Sequence, residues 1–119
     1  MVYRFENLET WKLARGFVNL IYSTTKLFPK EELFSLTNQI RRAALSIMLN
    51  ITEGSDRQSD IEYIRFLRIA YTSLEEVIAG CYIAKDQNYL EINKFTEIYS
   101  RSELLGKKIH SLINYLKRQ

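Results

Sequence analysis

Glycine, proline and cysteine are scarce in this chain of 119 residues. Four isolated glycines and one proline, Pro29, are too few for the many tight turns of an all-β domain, so the composition favours long helices. The separation of the glycines also excludes a glycine-rich phosphate-binding loop. The single cysteine, Cys81, excludes an intramolecular disulfide, and we expect it to be a small buried side chain in a reducing compartment.

Long hydrophobic runs are absent. No apolar stretch approaches the roughly 20 residues that a membrane-spanning helix needs. The N-terminal segment already contains Arg4, Glu6 and Glu9 and has no apolar core, unlike a signal peptide. We therefore predict a cytoplasmic protein with no membrane segment.

Histidine occurs once, as His110, with no second histidine or cysteine at the spacing of metal ligands. Di-iron bundles require a Glu-x-x-His pattern on two helices, which one histidine cannot supply. Nothing near His110 indicates a serine, threonine or cysteine nucleophile paired with a base. We predict no metal, no cofactor and no enzymatic activity.

Apolar residues recur at three- and four-residue steps in four segments, a spacing typical of amphipathic helices. The predicted helices extend from about Leu8 to Leu27, from Leu36 to a stop at Gly54, from the capping box Ser59-Asp60-Ile61-Glu62 to Ala84, and from Ile92 to Leu116. The intervening segments are short. We expect one all-α domain over residues 1–119, an antiparallel up-down-up-down four-helix bundle.

The third predicted helix has a second apolar stripe beside its core stripe. The combined apolar arc is wider than a monomeric bundle requires. We therefore predict that this second stripe is an interface of a homo-oligomer. Its residues are Ile64, Tyr71, Ile78 and Tyr82.

The net charge is +3, and the whole excess lies in residues 91–119, which contain six basic and three acidic residues. Basic side chains suit contacts with nucleic-acid phosphates, and arginine donates two hydrogen bonds to one anion. The candidate phosphate-binding residues are Arg41, Arg42, Arg57, Arg65, Arg68, Lys107, Lys108, Lys117 and Arg118. The arginines share their helices with several glutamates, so ion pairing within or between chains is an equal alternative for them.

The run Gln39-Ile40-Arg41-Arg42-Ala43-Ala44-Leu45-Ser46-Ile47, followed by Asn50-Ile51-Thr52-Glu53-Gly54, resembles the signature of the four-helix-bundle proteins named for the intervening sequences of bacterial 23S ribosomal RNA genes. The likeness extends to Phe5, Leu8 and Trp11, to Phe28-Pro29, and to the segment from Phe66 to Glu76. It covers residues 5 to 90. Thr52 departs from the alanine that is usual in the family, and Thr72 from a common glycine.

The shared motif includes Ser46, Asn50, Glu53, Gly54 and Ser73, for which we expect structural roles. Asn50 and Glu53 are predicted to bond to a neighbouring helix or loop, with Arg57 as a partner of Glu53.

The family is also similar to the accessory variability protein of diversity-generating retroelements, a pentameric barrel of such bundles that binds nucleic acid and a reverse transcriptase. The resemblance therefore implies a cyclic homopentamer with a basic surface. Our leading hypothesis is a non-enzymatic oligomer that contacts RNA or DNA backbones. The alternative is a scaffold that binds an acidic or polymerase-like protein such as a reverse transcriptase.

Overall fold

The computed structural model describes residues 1–119, and its regular structure is entirely helical. Short 3₁₀ turns at Arg4–Asn7 and Lys30–Glu32 precede the first and second long helices. The four long helices are α1 (Glu9–Thr25), α2 (Leu36–Ser55), α3 (Asp60–Asp86) and α4 (Ile92–Lys117). The predicted all-α class with four helices is confirmed.

The helices form a bundle in which each packs on two neighbours. α1 contacts α2, α2 contacts α3, α3 contacts α4, and α4 returns to contact α1, whereas the diagonal pairs make no contact. Because successive helices are joined by short segments, all neighbours are antiparallel. The molecule measures 46 × 23 × 23 Å, so its long axis is set by the length of α3 and α4. No helix combines the length and the apolar composition needed to cross a membrane.

The core comes from the predicted apolar stripes of all four helices. Fully buried side chains include Phe17 and Ile21 of α1, Ile47 of α2, Leu67 of α3 and Ile98 of α4. Cys81 belongs to this cluster at 2% exposure, and burial raises the pKa of its thiol to about 12. The thiol is therefore a small apolar group in the core, as predicted from its isolation.

The start of α3 follows the predicted cap. The extended Ser59 precedes the helix, and its hydroxyl accepts the backbone N–H of Glu62 at 3.1 Å. This bond satisfies one of the first-turn amides that have no intrahelical carbonyl. The reciprocal half of the predicted capping box does not form, since the Glu62 carboxylate faces Arg65 at 3.7 Å instead.

Gly54 does not end α2, contrary to the prediction. The helix continues to Ser55 and the glycine has no left-handed backbone. A Cβ atom at this position would lie 2.9 Å from the Tyr63 ring and 3.0 Å from Cβ of Phe66. Gly54 is required because α2 and α3 approach closely here, and the left-handed residue of the chain is Asn88, in the loop after α3.

Candidate nucleic-acid interface

The charges of the bundle are divided between its two halves. α1 and α4 together carry seven basic and three acidic residues, whereas α2 and α3 together carry five basic and six acidic ones. Two long stretches that include most of α1 and the second half of α4 contain no acidic residue: residues 10–30 and residues 104–119. Since α1 and α4 are neighbours, these stretches give this half of the bundle an excess of positive charge.

An arginine of α4 lies at the boundary between α1 and α4. The Arg101 guanidinium lies against α1, with one Nη atom 3.0 Å from the point that a Cβ on Gly16 would occupy. Arg15 precedes Gly16 in the chain, and its guanidinium lies 6.0 Å from the Trp11 ring centre. Neither arginine has a carboxylate within 4.0 Å. Neither residue was predicted from the sequence, although Gly16 in the middle of a helix was a signal of close approach by another element.

Further lysines and an arginine continue this surface. Lys12 lies one turn before Arg15 on α1, and Lys108 lies two turns after Arg101 on α4, so each pair shares a helix face. We call the following exposed residues the basic surface: Lys12, Arg15, Arg101, Lys107, Lys108, Lys117 and Arg118. None of them forms an intramolecular salt bridge. Their charges are thus available to an external anion.

The predicted arginines outside this surface divide into paired and free ones. Arg57 forms an ion pair with Glu53 and covers the Phe66 ring at 4.9 Å, while Arg65 faces Glu62 at 3.7 Å. The ion-pair alternative therefore describes Arg57 and Arg65. The pairing of Glu53 with Arg57 was predicted.

Arg41 is held by α1 rather than by a carboxylate. Its Nε donates to the Thr25 hydroxyl at 2.8 Å, and its guanidinium lies 5.0 Å from the Tyr22 ring centre. Arg42 and Arg68 are exposed and have no acid within 4.0 Å, but both belong to the half of the bundle where acids outnumber bases. The nine predicted residues thus do not form one continuous surface.

The motif on α2 that resembles the family signature has a structural role at the boundary with α3. The hydroxyls of Ser46 and Ser73 are 2.8 Å apart across the two helices. Asn50 donates to the Ser46 carbonyl at 2.8 Å and to its hydroxyl at 3.0 Å. The prediction that Asn50 itself bonds across to another element is wrong: its side chain bonds back along α2 and positions the serine that makes the crossing.

The second apolar stripe of α3 is partly covered by α4 of the same chain. Ile64, Tyr71 and Ile78 are half-buried, and the Tyr71 ring packs on the His110 ring with centroids 4.3 Å apart. Tyr82 remains 45% exposed although its ring meets the edge of Phe95 at 4.8 Å. Folding within one chain thus accounts for much of the width of this arc, and its role between chains stays a prediction.

His110 lines a groove of about 390 Å³ between α3 and α4. Glu75 and Glu103 also line this groove, but the chain contains no cluster of three or more histidine, cysteine or acidic side chains placed to hold a metal ion. The groove contains no serine or cysteine bonded to the imidazole. The geometry assigns no catalytic chemistry to it.

Comparison with known proteins gives a family and a fold. A sequence profile described as 23S rRNA-intervening sequence protein matches residues 6–111. A crystal structure of a protein of unknown function from the S23 ribosomal protein family of Bacteroides thetaiotaomicron superposes with a TM-score of 0.79. That pair shares 23% sequence identity over 87% of this chain and 97% of the other, a level at which the likeness concerns the fold. No curated protein matches the sequence.

Proposed function

Because the chain belongs to the 23S rRNA-intervening sequence protein family, whose name refers to RNA genes but describes no activity, we propose a function from the charge distribution: a non-enzymatic nucleic-acid-binding protein. The observation that carries this proposal is the excess of basic over acidic residues on α1 and α4, seven against three. Seven exposed basic residues, six on these two adjacent helices and Arg118 directly after α4, have no carboxylate within 4.0 Å. A polyanion is the ligand that this arrangement fits.

The proposed contacts are to the phosphate backbone. Lysines and arginines spread along two helices match a row of phosphates, and such contacts hold a nucleic acid in place without reading its bases. Arg15 and Arg101 are the central residues because they come from two neighbouring helices and the Arg101 guanidinium reaches α1 at Gly16. We expect binding with little sequence preference.

Oligomerisation is part of the proposal. A cyclic homo-oligomer, a pentamer by resemblance to the retroelement accessory protein, repeats the basic surface in every subunit. Several weak patches linked in one particle bind a long polyanion far more tightly than one patch does. We propose the exposed apolar residues of α2 and α3 as contacts between subunits: Leu49, Ile61, Ile69, Tyr82 and Ile83.

The test is fluorescence anisotropy of labelled duplex RNA and duplex DNA with the protein between about 50 and about 200 mM salt. The slope of log affinity against log salt counts released counterions, about 0.9 for each phosphate contact on duplex DNA. We expect a slope that corresponds to several contacts and a similar affinity for unrelated sequences. The absence of binding at low salt by folded protein overturns the proposal and directs the search to acidic or polymerase-like protein partners.

A matched pair of charge reversals locates the surface. Arg101→Glu with Lys108→Glu alters the basic surface, and Arg65→Glu with Arg68→Glu makes the same change in charge on α3. We expect the first variant to lose at least about tenfold in affinity and the second to lose much less, since local phosphate contacts dominate over net charge. Equal losses contradict the assignment to α1 and α4. Light scattering on the same samples checks that assembly is unchanged.

A further inference from the structure

A small pocket lies at the end of the bundle where α1 finishes and α2 begins. It is a partly open pocket lined by the last turn of α1, the connecting segment and the first turns of α2. Its volume is about 200 Å³, below the 300 Å³ or so of typical small-molecule sites. The lining residues are Thr25, Lys26, Phe28, Pro29, Lys30, Leu33, Thr37 and Arg41.

Three of these residues are cationic and none is acidic. Lys26, Lys30 and Arg41 have no carboxylate within 4.0 Å. Glu31 and Glu32 follow Lys30 in the chain but do not line the pocket. The Glu32 carboxylate is occupied elsewhere: it accepts the Ser35 hydroxyl at 2.6 Å, the Leu36 N–H at 3.3 Å and the Tyr89 hydroxyl at 3.1 Å.

Arg41 is fixed in place before any ligand arrives. Its Nε donates to the Thr25 hydroxyl at 2.8 Å, and that hydroxyl in turn donates to the Ile21 carbonyl at 2.8 Å. The face of the guanidinium lies over the Tyr22 ring at 5.0 Å. These contacts use one N–H and leave both Nη groups without a partner in the chain. A fixed fork of donors loses little conformational freedom when it binds an anion.

Thr37 provides a second and independent indication of a ligand. This residue is only 2% exposed, and its hydroxyl has no hydrogen-bond partner. A buried hydroxyl without a partner is destabilising and calls for an explanation. Thr37 lies in the first turn of α2, one turn before Arg41, where backbone N–H groups have no intrahelical acceptors. Thr37 lines the pocket, so a bound ligand that accepts hydrogen bonds provides the partner that its hydroxyl lacks within the chain.

We propose that this pocket binds a terminal phosphate monoester through Lys26, Lys30, Arg41 and Thr37. A monoester presents three non-bridging oxygens and close to two negative charges, which suits three cations and a hydroxyl in a small space. The apolar side chains of Phe28, Pro29 and Leu33 close the remaining walls and suit the carbon attached to the ester oxygen. Either a nucleic-acid 5′ end or a free nucleotide supplies such a group.

The test compares ligands that differ only in the phosphate. Adenosine 5′-monophosphate is titrated against adenosine, and a 5′-phosphorylated RNA oligonucleotide against its 5′-hydroxyl counterpart, by calorimetry and anisotropy. We expect the phosphorylated member of at least one pair to bind about tenfold more tightly, the effect of one or two charge-assisted hydrogen bonds. Preference confined to the oligonucleotides identifies a strand end as the source; preference for the nucleotide identifies a free phosphate. Equal binding within both pairs overturns the proposal.

Variants separate this pocket from the basic surface. Lys30→Gln and Thr37→Val should each abolish most of the phosphate preference, whereas Lys94→Gln removes a charge at the same end of the bundle and should preserve it. Arg41→Lys keeps the charge but loses the fork and the bond to Thr25, so we expect a similar loss. Retained preference in Lys30→Gln, Arg41→Lys and Thr37→Val contradicts the assignment. Because nucleotide binding requires no contact with α4, the result is independent of the function proposed above.

Discussion

Trp11 of α1 donates its indole N–H to the hydroxyl of Thr52 on α2, at 2.9 Å. The same hydroxyl donates to the Met48 carbonyl one turn earlier at 3.0 Å, so its orientation is fixed. An alanine at position 52 could not accept this bond. The threonine therefore satisfies a half-buried donor that is otherwise left to solvent or to another partner.

Replacing Thr52 tests the value of this contact. Thr52→Ala leaves the indole N–H without its acceptor and should lower the free energy of unfolding by about 1 kcal/mol. Trp11→Phe removes the donor as well, so the double variant should cost less than the sum of the two single variants. Urea denaturation followed by circular dichroism measures all three. Additive losses show that the hydrogen bond contributes nothing.

The serine pair between α2 and α3 predicts an order of stabilities. Ser46→Ala removes the partner of both Ser73 and the Asn50 amide, whereas Ser73→Ala leaves the bond from Asn50 to Ser46 intact. We expect losses of about 2 kcal/mol for the first change and about 1 kcal/mol for the second. Denaturant midpoints at constant slope provide the comparison. A greater loss in Ser73→Ala contradicts this account of the network.

Two glycines within helices should respond to alanine in opposite ways. At Gly54 the new methyl group meets Tyr63 and the Cβ of Phe66, which cannot move without α3, so Gly54→Ala should destabilise by about 2 kcal/mol. At Gly16 the contact is the mobile end of Arg101, and the gain in helix propensity of up to about 1 kcal/mol should prevail. Thermal unfolding of both variants checks the signs. Stabilisation by Gly54→Ala refutes the close approach of α2 and α3.

Glu32 should make stability depend on acid pH. Hydrogen bonds from the Ser35 hydroxyl, the Leu36 N–H and the Tyr89 hydroxyl lower its pKa from the ordinary value of 4.5. A lowered pKa in the folded state stabilises the protein above the unfolded value, and this contribution is lost as pH falls through the folded value.

We therefore expect the wild type to lose more stability than Glu32→Gln between about pH 6 and about pH 3. Urea midpoints across this range give the difference between the two curves. Parallel curves rule out a role for the Glu32 charge, while Glu31→Gln, with an exposed carboxyl that makes no hydrogen bond, is the matched control.

The periodic apolar pattern predicted the fold well because the spacing of apolar residues along one helix can be read from the local sequence. All four helices formed, with ends close to the predicted ones, and the hydroxyl of Ser59 caps α3 as expected. Gly54 was misjudged because a glycine near a helix end has two explanations, and the choice between them depends on the neighbouring helix. The packing of the wide α3 arc depends on a neighbouring helix in the same way, since Tyr71 packs on His110 of α4. The interface predicted from this arc stays a prediction.

The candidate sites were less predictable because they join residues that are remote in sequence. Arg101 reaches Gly16 only after α1 and α4 pack, and the phosphate pocket needs α1, the connecting segment and α2 together. Arg41 was identified from its residue type alone. Its bond to Thr25 and the unpartnered hydroxyl of Thr37 required the three-dimensional arrangement.

The boundary between α1 and α4 differs from the other three in one respect: no loop joins its two helices, since one begins the bundle and the other ends it. This boundary is therefore the one that separates most easily, because no loop has to rearrange when α4 frays. A polyanion that binds both Arg15 and Arg101 connects α1 to α4. By mass action it then protects α4 from detachment, so amide exchange in α4 should slow when nucleic acid is bound.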